Sequence, residues 1–479
     1  MAERRIVGVD LGIASAHTVV VLTGEGTEVC RRRCIPTAES LGWIEQQALD
    51  GAPEGTVLEV VLEPTGPAWL APTVFFGRRG HAVYRVSSQK ASDLRKFLSR
   101  HAKSNSIDAL TLARLAIVAP QSLRPVELPG AGRATLDRRV RACDRLTKEA
   151  SQHKIRIKDL VRQLLPMTPL TGELGQADLA VLERWADPNA LLRAGRARLT
   201  AVIAKASNNH QGAERAEEWL AAARASVELY EGDSAVAFSD LAAEVATEVR
   251  ILRAIQAELA SHAEVREAAY RRVDSEGLAR SLPGVAEVGG PVVVSVMGRP
   301  GRFARAEQFK SFTGLVPRAS ETGESDRKGQ PMSKAGSSML RSQLMRSADT
   351  ARTSDPELAR IYYVQMVERG ATHTKALCVV AAHLAERAWA VMARGTPYVI
   401  RDTDGRPVAK AEAKAIIAEH WTVPEDVRRR RRNKKVRKVP HQVLVGHVSR
   451  ARGAVPRRPS PLASSALGAT ASTTQGGGA

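Results

Sequence analysis

The sequence predicts an α/β domain at the N-terminus, followed by a long helical arm and a mainly α-helical C-terminal region. Strands and helices alternate over roughly the first 120 residues, which is typical of a layered sheet with helices packed on it. Two long stretches in the middle of the chain then repeat apolar residues at helical spacing. Helical patterns resume near the C-terminus and bracket a polar, glycine-rich segment.

The N-terminal elements follow from apolar runs that are separated by turn residues. Short runs rich in valine predict buried strands at residues 5–10, 17–22, 56–62 and 82–86. Helices are predicted at residues 88–101, which include Arg95 among several basic residues, and at residues 104–115. Residues 125–132 (PVELPGAG) are rich in proline and glycine, so they predict the end of this domain.

Three carboxylates fall at the ends of predicted strands or on a helix. Asp10 ends the first strand, Glu63 follows the third, and Asp108 lies on the helix at residues 104–115. Gathered carboxylates repel one another unless a hard cation lies between them, and Mg²⁺ or Mn²⁺ is the natural occupant. An acidic metal pocket in a basic protein suggests a phosphodiester enzyme, because bound metals stabilise the attacking and leaving oxygens.

The charge of the chain predicts a polyanionic partner. Its 71 lysines and arginines exceed 51 aspartates and glutamates, which gives a net charge of +20 and a pI near 10.3. Residues 428–438 (RRRRRNKKVRK) hold nine basic residues in eleven, and the remainder still carries +11. Such a run binds nucleic acid at low salt even where it is otherwise a solvated tail.

Cysteine usage and hydropathy suggest an intracellular protein with no membrane partner. The four cysteines form neither a zinc pattern nor a disulfide framework, so we expect them to be reduced. Inspection finds no uninterrupted apolar stretch of about 18 residues and no signal-peptide core at the N-terminus.

The middle of the chain predicts two long helices. Apolar residues recur at helical spacing from Leu136 to Leu164, and Pro166 ends this run. The second helix is predicted at residues 234–273. An intramolecular hairpin and an oligomerisation arm both fit these stripes.

The C-terminal region combines helices with two segments that are poor in core residues. Residues 282–290 (LPGVAEVGG) fit a glycine-rich turn between helices, which either presents backbone N–H groups to a DNA phosphate or serves only for packing. Residues 319–336 are polar, lie between helices, and predict a functional loop. Helices are expected again at residues 337–393, and disorder beyond residue 455.

Several blocks of sequence resemble the DEDD insertion-sequence transposases. The N-terminal blocks VGVDLGIASAHTVVVL, LEPTG and KSNSIDALTLARL resemble their RuvC-like, RNase H-like domain. The later blocks LPGVAEVGGPVVVSVMG, FKSFTGLVPR and QPMSKAGSSMLRSQLMRSA resemble their C-terminal transposase domain. The blocks occur in the family's order, between about residues 5 and 390.

The resemblance implies a set of acidic metal ligands. Asp10 matches the first acidic position of the family, Glu63 the second and Asp108 the fourth. The third position, three residues before the fourth, is Asn105 in this chain. An asparagine carbonyl can still bind a hard cation, but it lowers the charge of the pocket by one. Without the resemblance, Asn105 is interpreted as a helix N-cap.

The resemblance also implies a hydroxyl nucleophile that forms a covalent protein–DNA intermediate. The family serine is followed by glycine, and the matching residue here is Thr322, with Ser320 and Ser325 as alternatives. A hydroxyl must lose its proton to become an effective nucleophile. Five basic residues are expected to contact nucleic acid near this loop: Arg318, Arg327, Lys328, Lys334 and Arg341.

The predicted organisation has four parts: a metal-binding RuvC-like domain at 1–125, a helical arm at 133–275, a transposase domain at 276–395, and a basic, disordered tail at 396–479. The predicted function is a DNA recombinase that cuts and rejoins DNA by metal-dependent transesterification. The resemblance implies a noncoding guide RNA. A homodimer or tetramer is expected because recombination joins several DNA ends at once, and the expected location is the bacterial cytoplasm, at the nucleoid.

Three other functions remain open from the residues. A RuvC-like nuclease or junction resolvase would use the same acidic pocket without a protein nucleophile. The segment DLGIAS also resembles the first phosphate loop of actin-like kinases, but no second glycine-rich phosphate loop is evident. Asn105 and Thr322 also fit a catalytically inactive relative that binds nucleic acid.

Overall fold

A mixed six-stranded sheet forms the N-terminal part of the chain. The computed structural model describes residues 4–63, 65–98, 104–128, 130–170, 172–231, 236–318, 321–322, 325–326 and 330–432. The strands are β1 (Arg5–Asp10), β2 (His17–Thr23), β3 (Glu28–Cys34), β4 (Leu58–Leu62), β5 (Ala82–Arg85) and β6 (Arg124–Pro125). Their order is β3-β2-β1-β4-β5-β6, with β1, β4 and β5 parallel and the other neighbours antiparallel.

Helices cover both faces of this sheet. They are α1 (Ala38–Leu49), α2 (Leu70–Arg78), α3 (Ser88–Leu98) and α4 (Asn105–Val118), and a short 3₁₀ turn follows at Pro120–Ser122. One face packs against α1 and α2, and the other packs against α3 and α4. Burial on both faces explains why the central strands are continuous runs of valine and leucine rather than alternating patterns. The predicted α/β domain is confirmed.

The helical arm is built on two long antiparallel helices. The described helices of this part are α5 (Ala131–Leu164), α6 (Gln176–Trp185), α7 (Pro188–Ala206), α8 (Ala213–Leu229) and α9 (Phe238–Val273). Arg139 on α5 bonds His262 on α9, and His153 bonds Glu248, so the two helices run in opposite directions. Helices α6 to α8 pack against the end of this pair that is formed by the C-terminal half of α5 and the N-terminal half of α9, and they share one core with it. The long helices therefore pair with each other as an intramolecular hairpin, and this pairing does not require a second subunit.

The C-terminal part is a second helical core. Its helices are α10 (Leu278–Ser281), α11 (Gly289–Met297), α12 (Ala306–Thr313), α13 (Ser338–Ala351), α14 (Pro356–Tyr363), α15 (His373–Arg394), α16 (Lys410–His420) and α17 (Glu425–Arg430). A 3₁₀ turn lies at Pro300–Arg302 and a π-helical turn at Val364–Glu368. Two short strands, β7 (Glu321–Thr322) and β8 (Ser325–Asp326), pair as a hairpin.

One helix of this core, α15, is long and apolar enough to cross a membrane by length and composition. In the fold it packs against α12, α13 and α14, and Ala376, Val380 and Leu384 are fully buried there. The hydropathy of α15 is therefore explained by its central place in the C-terminal core.

Two predicted details differ from the structure. Ser104, and not Asn105, caps α4, because its Oγ accepts a hydrogen bond from the backbone N–H of Ile107 at 3.2 Å. The region from residue 396, predicted as a disordered tail, contains α16 and α17 within its described part, and Val423 is buried in the C-terminal core. Residues 433–479, including the end of the basic run, lie outside the described residues.

Candidate active site

Asp10 and Glu63 lie at one edge of the sheet because they end two adjacent parallel strands. Val9 of β1 pairs in register with Leu62 of β4, so Asp10 and Glu63 are the next residues along each strand. Val9 and Leu62 are buried against α1 and α2. Since side chains alternate along a strand, Asp10 and Glu63 are directed to the opposite face, which α4 covers.

Asp108 reaches the same face from α4. It lies in the first turn of α4, where the positive end of the helix dipole stabilises a carboxylate. The close approach of α4 to β1 depends on Gly8. A Cβ built on Gly8 would lie 2.1 Å from the carbonyl oxygen of Ala109 and 2.6 Å from the backbone nitrogen of Ala113. The absence of a side chain at residue 8 therefore lets Asp108 approach the sheet edge.

A cavity of about 230 Å³ joins Glu63 and Asp108. Its other lining residues are Ser88, Ala91, Ser92, Arg95, Thr111 and Leu112. The structure thus brings two of the three predicted carboxylates into one cavity and leaves Asp10 on the neighbouring strand, outside its lining. Asn105 is exposed at the start of α4, three residues before Asp108 and so on the same side of the helix.

Arg95 occupies the position next to Asp108 where a cation is expected. Its Nε lies 3.1 Å from Oδ1 of Asp108, and the two side chains are only 21% and 23% exposed. Among the described residues, no group of three or more His, Cys, Asp or Glu side chains is arranged to hold a metal ion. The sequence marked Arg95 only as one basic residue of a helix, because its distance from Asp108 depends on how α3 packs against α4.

The donor set of this edge suits a hard cation. Asp10, Glu63 and Asp108 supply carboxylate oxygens, and Asn105 can supply an amide oxygen. The described residues that line the cavity include no thiol or imidazole. Magnesium or manganese therefore fits the chemistry of these residues, provided that the Arg95 guanidinium moves away from Asp108.

Within its described residues, the predicted functional loop forms a β-hairpin whose stem adjoins the C-terminal core. Its stem is held by backbone hydrogen bonds: Arg318 N–H donates to Pro331, Ser333 N–H to Val316, and Lys334 N–H to Gly314. At the tip, Thr322 of β7 pairs with Ser325 of β8. Two of the three candidate nucleophiles therefore lie on the paired strands of the hairpin.

The base of the hairpin depends on two glycines and one arginine. A Cβ on Gly336 would lie 1.9 Å from the carbonyl oxygen of Phe312, and Gly314 has a φ of +73°. The guanidinium of Arg341 donates to the carbonyl oxygens of Thr313 and Gly336, at 3.2 and 2.6 Å. Arg341 was predicted to contact nucleic acid; in the structure it holds the hairpin to the core.

Two of the other predicted nucleic-acid contacts, Arg318 and Lys334, lie on the stem of the hairpin. Arg318 is exposed, and Lys334 has a φ of +56°, which is strained for a residue with a side chain. Ser320, Arg327 and Lys328 lie outside the described residues. Within the described part of the chain, β7 and β8 make no extensive contact with the elements that line the acidic cavity.

Two family models match the two halves of this candidate site. A model for the DEDD transposase of IS110, described as a transposase, matches residues 7–166, which contain the acidic edge. A second, described as the transposase IS116/IS110/IS902 family, matches residues 277–363, which contain the hairpin. Together the matched ranges span about half of the chain. The chain belongs to the IS110 transposase family.

A relative of this IS110-family transposase matches over most of its length. It is the insertion element IS110 uncharacterized 43.6 kDa protein of Streptomyces coelicolor, which is 27% identical over 421 residues. The alignment covers 85% of this chain and 100% of the relative. The protein is therefore a transposase, an enzyme that recombines DNA, and the predicted family is confirmed.

Proposed function

We propose that this transposase cuts and rejoins DNA by metal-dependent transesterification, on an RNase H-like N-terminal domain. The observation that carries the proposal is the shared cavity of Glu63 and Asp108 at the sheet edge where Asp10 also ends a strand. Parallel strands that deliver carboxylates to one edge, opposite a helix with a further carboxylate, suit a phosphodiester site in a protein of charge +20.

The proposed metal ligands are Asp10, Glu63 and Asp108, with Asn105 as a weaker donor. Bound Mg²⁺ or Mn²⁺ would stabilise negative charge on the scissile phosphate. The carboxylates hold and orient the site, and the low exposure of Asp108 limits competition by water. Asn105 carries no charge, so the pocket has three carboxylates instead of four. The lost charge weakens the binding of a divalent metal ion more than the binding of the monovalent Arg95 guanidinium, which therefore competes better with the metal.

Substituting Arg95 is expected to strengthen metal binding. In Arg95→Gln, Asp108 no longer has a competing cation, so we expect Mn²⁺ to bind about five-fold more tightly, the scale of one partly exposed ion pair. Electron paramagnetic resonance of free Mn²⁺ measures this without any cleavage assay. Lys96→Gln on the same helix removes the same charge from an exposed side chain and is the control. An equal gain in Mn²⁺ affinity in both variants would show that the net charge of the protein, and not the contact of Arg95 with Asp108, controls metal binding.

The proposed nucleophile is a hydroxyl of the hairpin. The oxygen of Thr322, or of Ser320 or Ser325, forms a bond to phosphorus and displaces a DNA oxygen, which takes up a proton as the hydroxyl gives one up. Attack by a second DNA hydroxyl on this ester would reverse the step and release the protein. The position of Thr322 and Ser325 at the hairpin tip supports their access to a DNA strand.

We infer that the acidic cavity and the hairpin of one site come from different subunits. The stem of the hairpin is held in the C-terminal part, and its described strands make no extensive contact with the elements that line the cavity. A homodimer or tetramer would bring a hairpin to the partner's cavity and hold several DNA ends at once. Five basic residues are proposed to bind the DNA backbone there: Arg318, Arg327, Lys328, Lys334 and Arg341. Arg341 also positions the stem of the hairpin.

The wider assignments rest on family membership and charge. We propose a metal-binding domain at 1–125, an arm at 133–275, a transposase domain at 276–395 and a basic region at 396–479. A noncoding guide RNA is proposed as a second polyanionic partner, since the net charge of +20 suits RNA and DNA alike. The protein would act at the nucleoid in a bacterial cytoplasm.

A denaturant-stable protein–DNA adduct tests the proposed chemistry. The protein is incubated with Mg²⁺, DNA that carries the element's ends, and RNA transcribed from the flanking noncoding region. We expect an adduct that peptide mass spectrometry maps to Ser320, Thr322 or Ser325. The matching variant, Thr322→Val, Ser325→Ala or Ser320→Ala, should abolish the adduct while the other two retain it. Cut DNA without an adduct would instead identify a hydrolytic nuclease.

A further inference from the structure

A second cavity lies in the C-terminal core and takes no part in the proposed chemistry. It has a volume of about 460 Å³ and is formed by α14, the π-helical turn and α15. Its polar lining consists of Glu357, Arg360, Gln365, Arg369, His383 and Arg387. Cationic side chains thus outnumber the single carboxylate of the lining.

That carboxylate is already neutralised at the inner wall of the cavity. Arg387 donates to Oε2 of Glu357 at 2.7 Å and to the hydroxyl of Tyr398 at 3.2 Å. Arg360 and Arg369 are exposed, and neither makes a side-chain hydrogen bond or ion pair within the described part of the chain. The cavity therefore presents two guanidinium groups without a counter-charge.

The π-helical turn explains why both groups reach one cavity. In a regular α-helix of 3.6 residues per turn, side chains nine residues apart, such as Arg360 and Arg369, are directed to opposite sides. In the π turn the bonds span five or more residues: Arg369 N–H donates to Val364 at 2.9 Å, and Ala371 N–H to Gln365 at 2.8 Å. The π turn thereby places Arg369 above Val364. Val364 lies four residues after Arg360 and therefore on the same face of the helix, so Arg360 and Arg369 lie on one side.

The basic run of the sequence begins beside the same turn. The guanidinium of Arg431 donates to the carbonyl oxygen of Gly370 at 2.7 Å, and the backbone carbonyl of Arg431 accepts from His373. Helix α17, which carries Arg428, also contacts the π turn. The first basic residues of the run, of which Arg430 is paired with Asp426, therefore lie next to the turn that precedes Arg369.

We propose that this cavity binds a backbone phosphate of a nucleic acid strand. The planar forks of Arg360 and Arg369 suit two oxygens of one phosphate, and Arg428 and Arg431 add positive charge beside the π turn. The inference goes beyond the proposed cleavage chemistry and does not depend on it, since it concerns binding alone. The shared ligand chemistry is a phosphodiester, and the probes below distinguish DNA from RNA.

Salt-dependent binding of the full-length protein tests this site. Fluorescence anisotropy is measured against salt concentration with a DNA duplex that carries the element end, and separately with RNA transcribed from the flanking noncoding region. In Arg360→Gln/Arg369→Gln we expect affinity to fall about ten-fold or more, and the salt slope for a duplex to fall by about one, because the contact with one phosphate is lost. A loss with one probe alone assigns the site to that nucleic acid.

The matched control removes the same charge elsewhere. Arg193 and Arg196 are exposed on α7, three residues apart, so Arg193→Gln/Arg196→Gln should leave the slope unchanged. The lysine variant Arg360→Lys/Arg369→Lys should retain the slope, which separates lost charge from lost folding. Equal behaviour of the cavity and control variants with both probes would overturn the proposal, because charge anywhere on the surface would then account for the binding. Metal-free conditions keep this result independent of cleavage.

Discussion

Glu63→Gln is expected to reduce DNA strand cleavage by at least about 10³-fold while nucleic-acid binding is retained. Glutamine has nearly the same shape, so the cavity keeps its packing and loses one negative charge. If the carboxylate is a metal ligand, its loss removes several kcal/mol of transition-state stabilisation. Cleavage of labelled element-end DNA in Mg²⁺, together with an electrophoretic binding assay, measures both effects.

Glu59→Gln is the matched control for this variant. Glu59 lies on β4, the strand that Glu63 follows, and the same chemical change there breaks an ion pair with Arg4 that measures 2.7 Å. The cavity is untouched, so cleavage should remain within a few-fold of the wild-type rate. Near-normal cleavage by Glu63→Gln would show that the acidic edge of the sheet is not the catalytic centre. Loss of DNA binding in the same variant would instead assign Glu63 to the binding surface.

Gly8→Ala is expected to destabilise the N-terminal domain by about 3 kcal/mol or more, at the upper end for overpacking a close contact. The added methyl group would overlap the backbone of α4 at Ala109 and Ala113, and backbone atoms cannot rotate away as a side chain can. Helix α4 carries Asp108, so the displacement would also widen the candidate site. Urea denaturation measures the loss of stability, and cleavage measured below the transition tests the effect on the site.

Gly42→Ala separates this close contact from the general effect of removing a glycine. Gly42 lies within α1, and a Cβ there would meet its nearest neighbour, an atom of Phe75, at 3.9 Å. Alanine should therefore stabilise the protein by about 0.5 kcal/mol through its higher helix propensity. If Gly8→Ala were tolerated equally well, α4 would have to lie further from β1 than the structure places it.

The sheet could be predicted because its strands are short, apolar and bounded by turn residues. Predicted residues 5–10 match β1, and β2, β4 and β5 differ only at their ends. The edge strand β3, most of whose residues are exposed, and the helices α6 to α8 were not among the predicted elements. The helices have less regularly distributed apolar residues, and packing in the core of the arm stabilises them.

Candidate site residues could be recognised one at a time, but their grouping could not. Asp10 and Glu63 each follow a buried strand, and this local pattern is visible in the sequence. That β1 and β4 are neighbours, with Val9 opposite Leu62, depends on pairing between residues more than fifty positions apart. The contact of Arg95 with Asp108 depends likewise on α3 packing against α4.

The sequence by itself determined the residue types: oxygen ligands at strand ends, hydroxyls in a polar loop, and an excess of positive charge. These properties are local, so they can be read without knowing which segments meet. Only the tertiary structure decided that Glu63 and Asp108 share a cavity with Arg95, that the loop is a hairpin held by Arg341, and that a π-helical turn directs Arg360 and Arg369 to one side. Each of these depends on helix packing, strand register or backbone hydrogen bonding, which side-chain patterns along the chain do not specify.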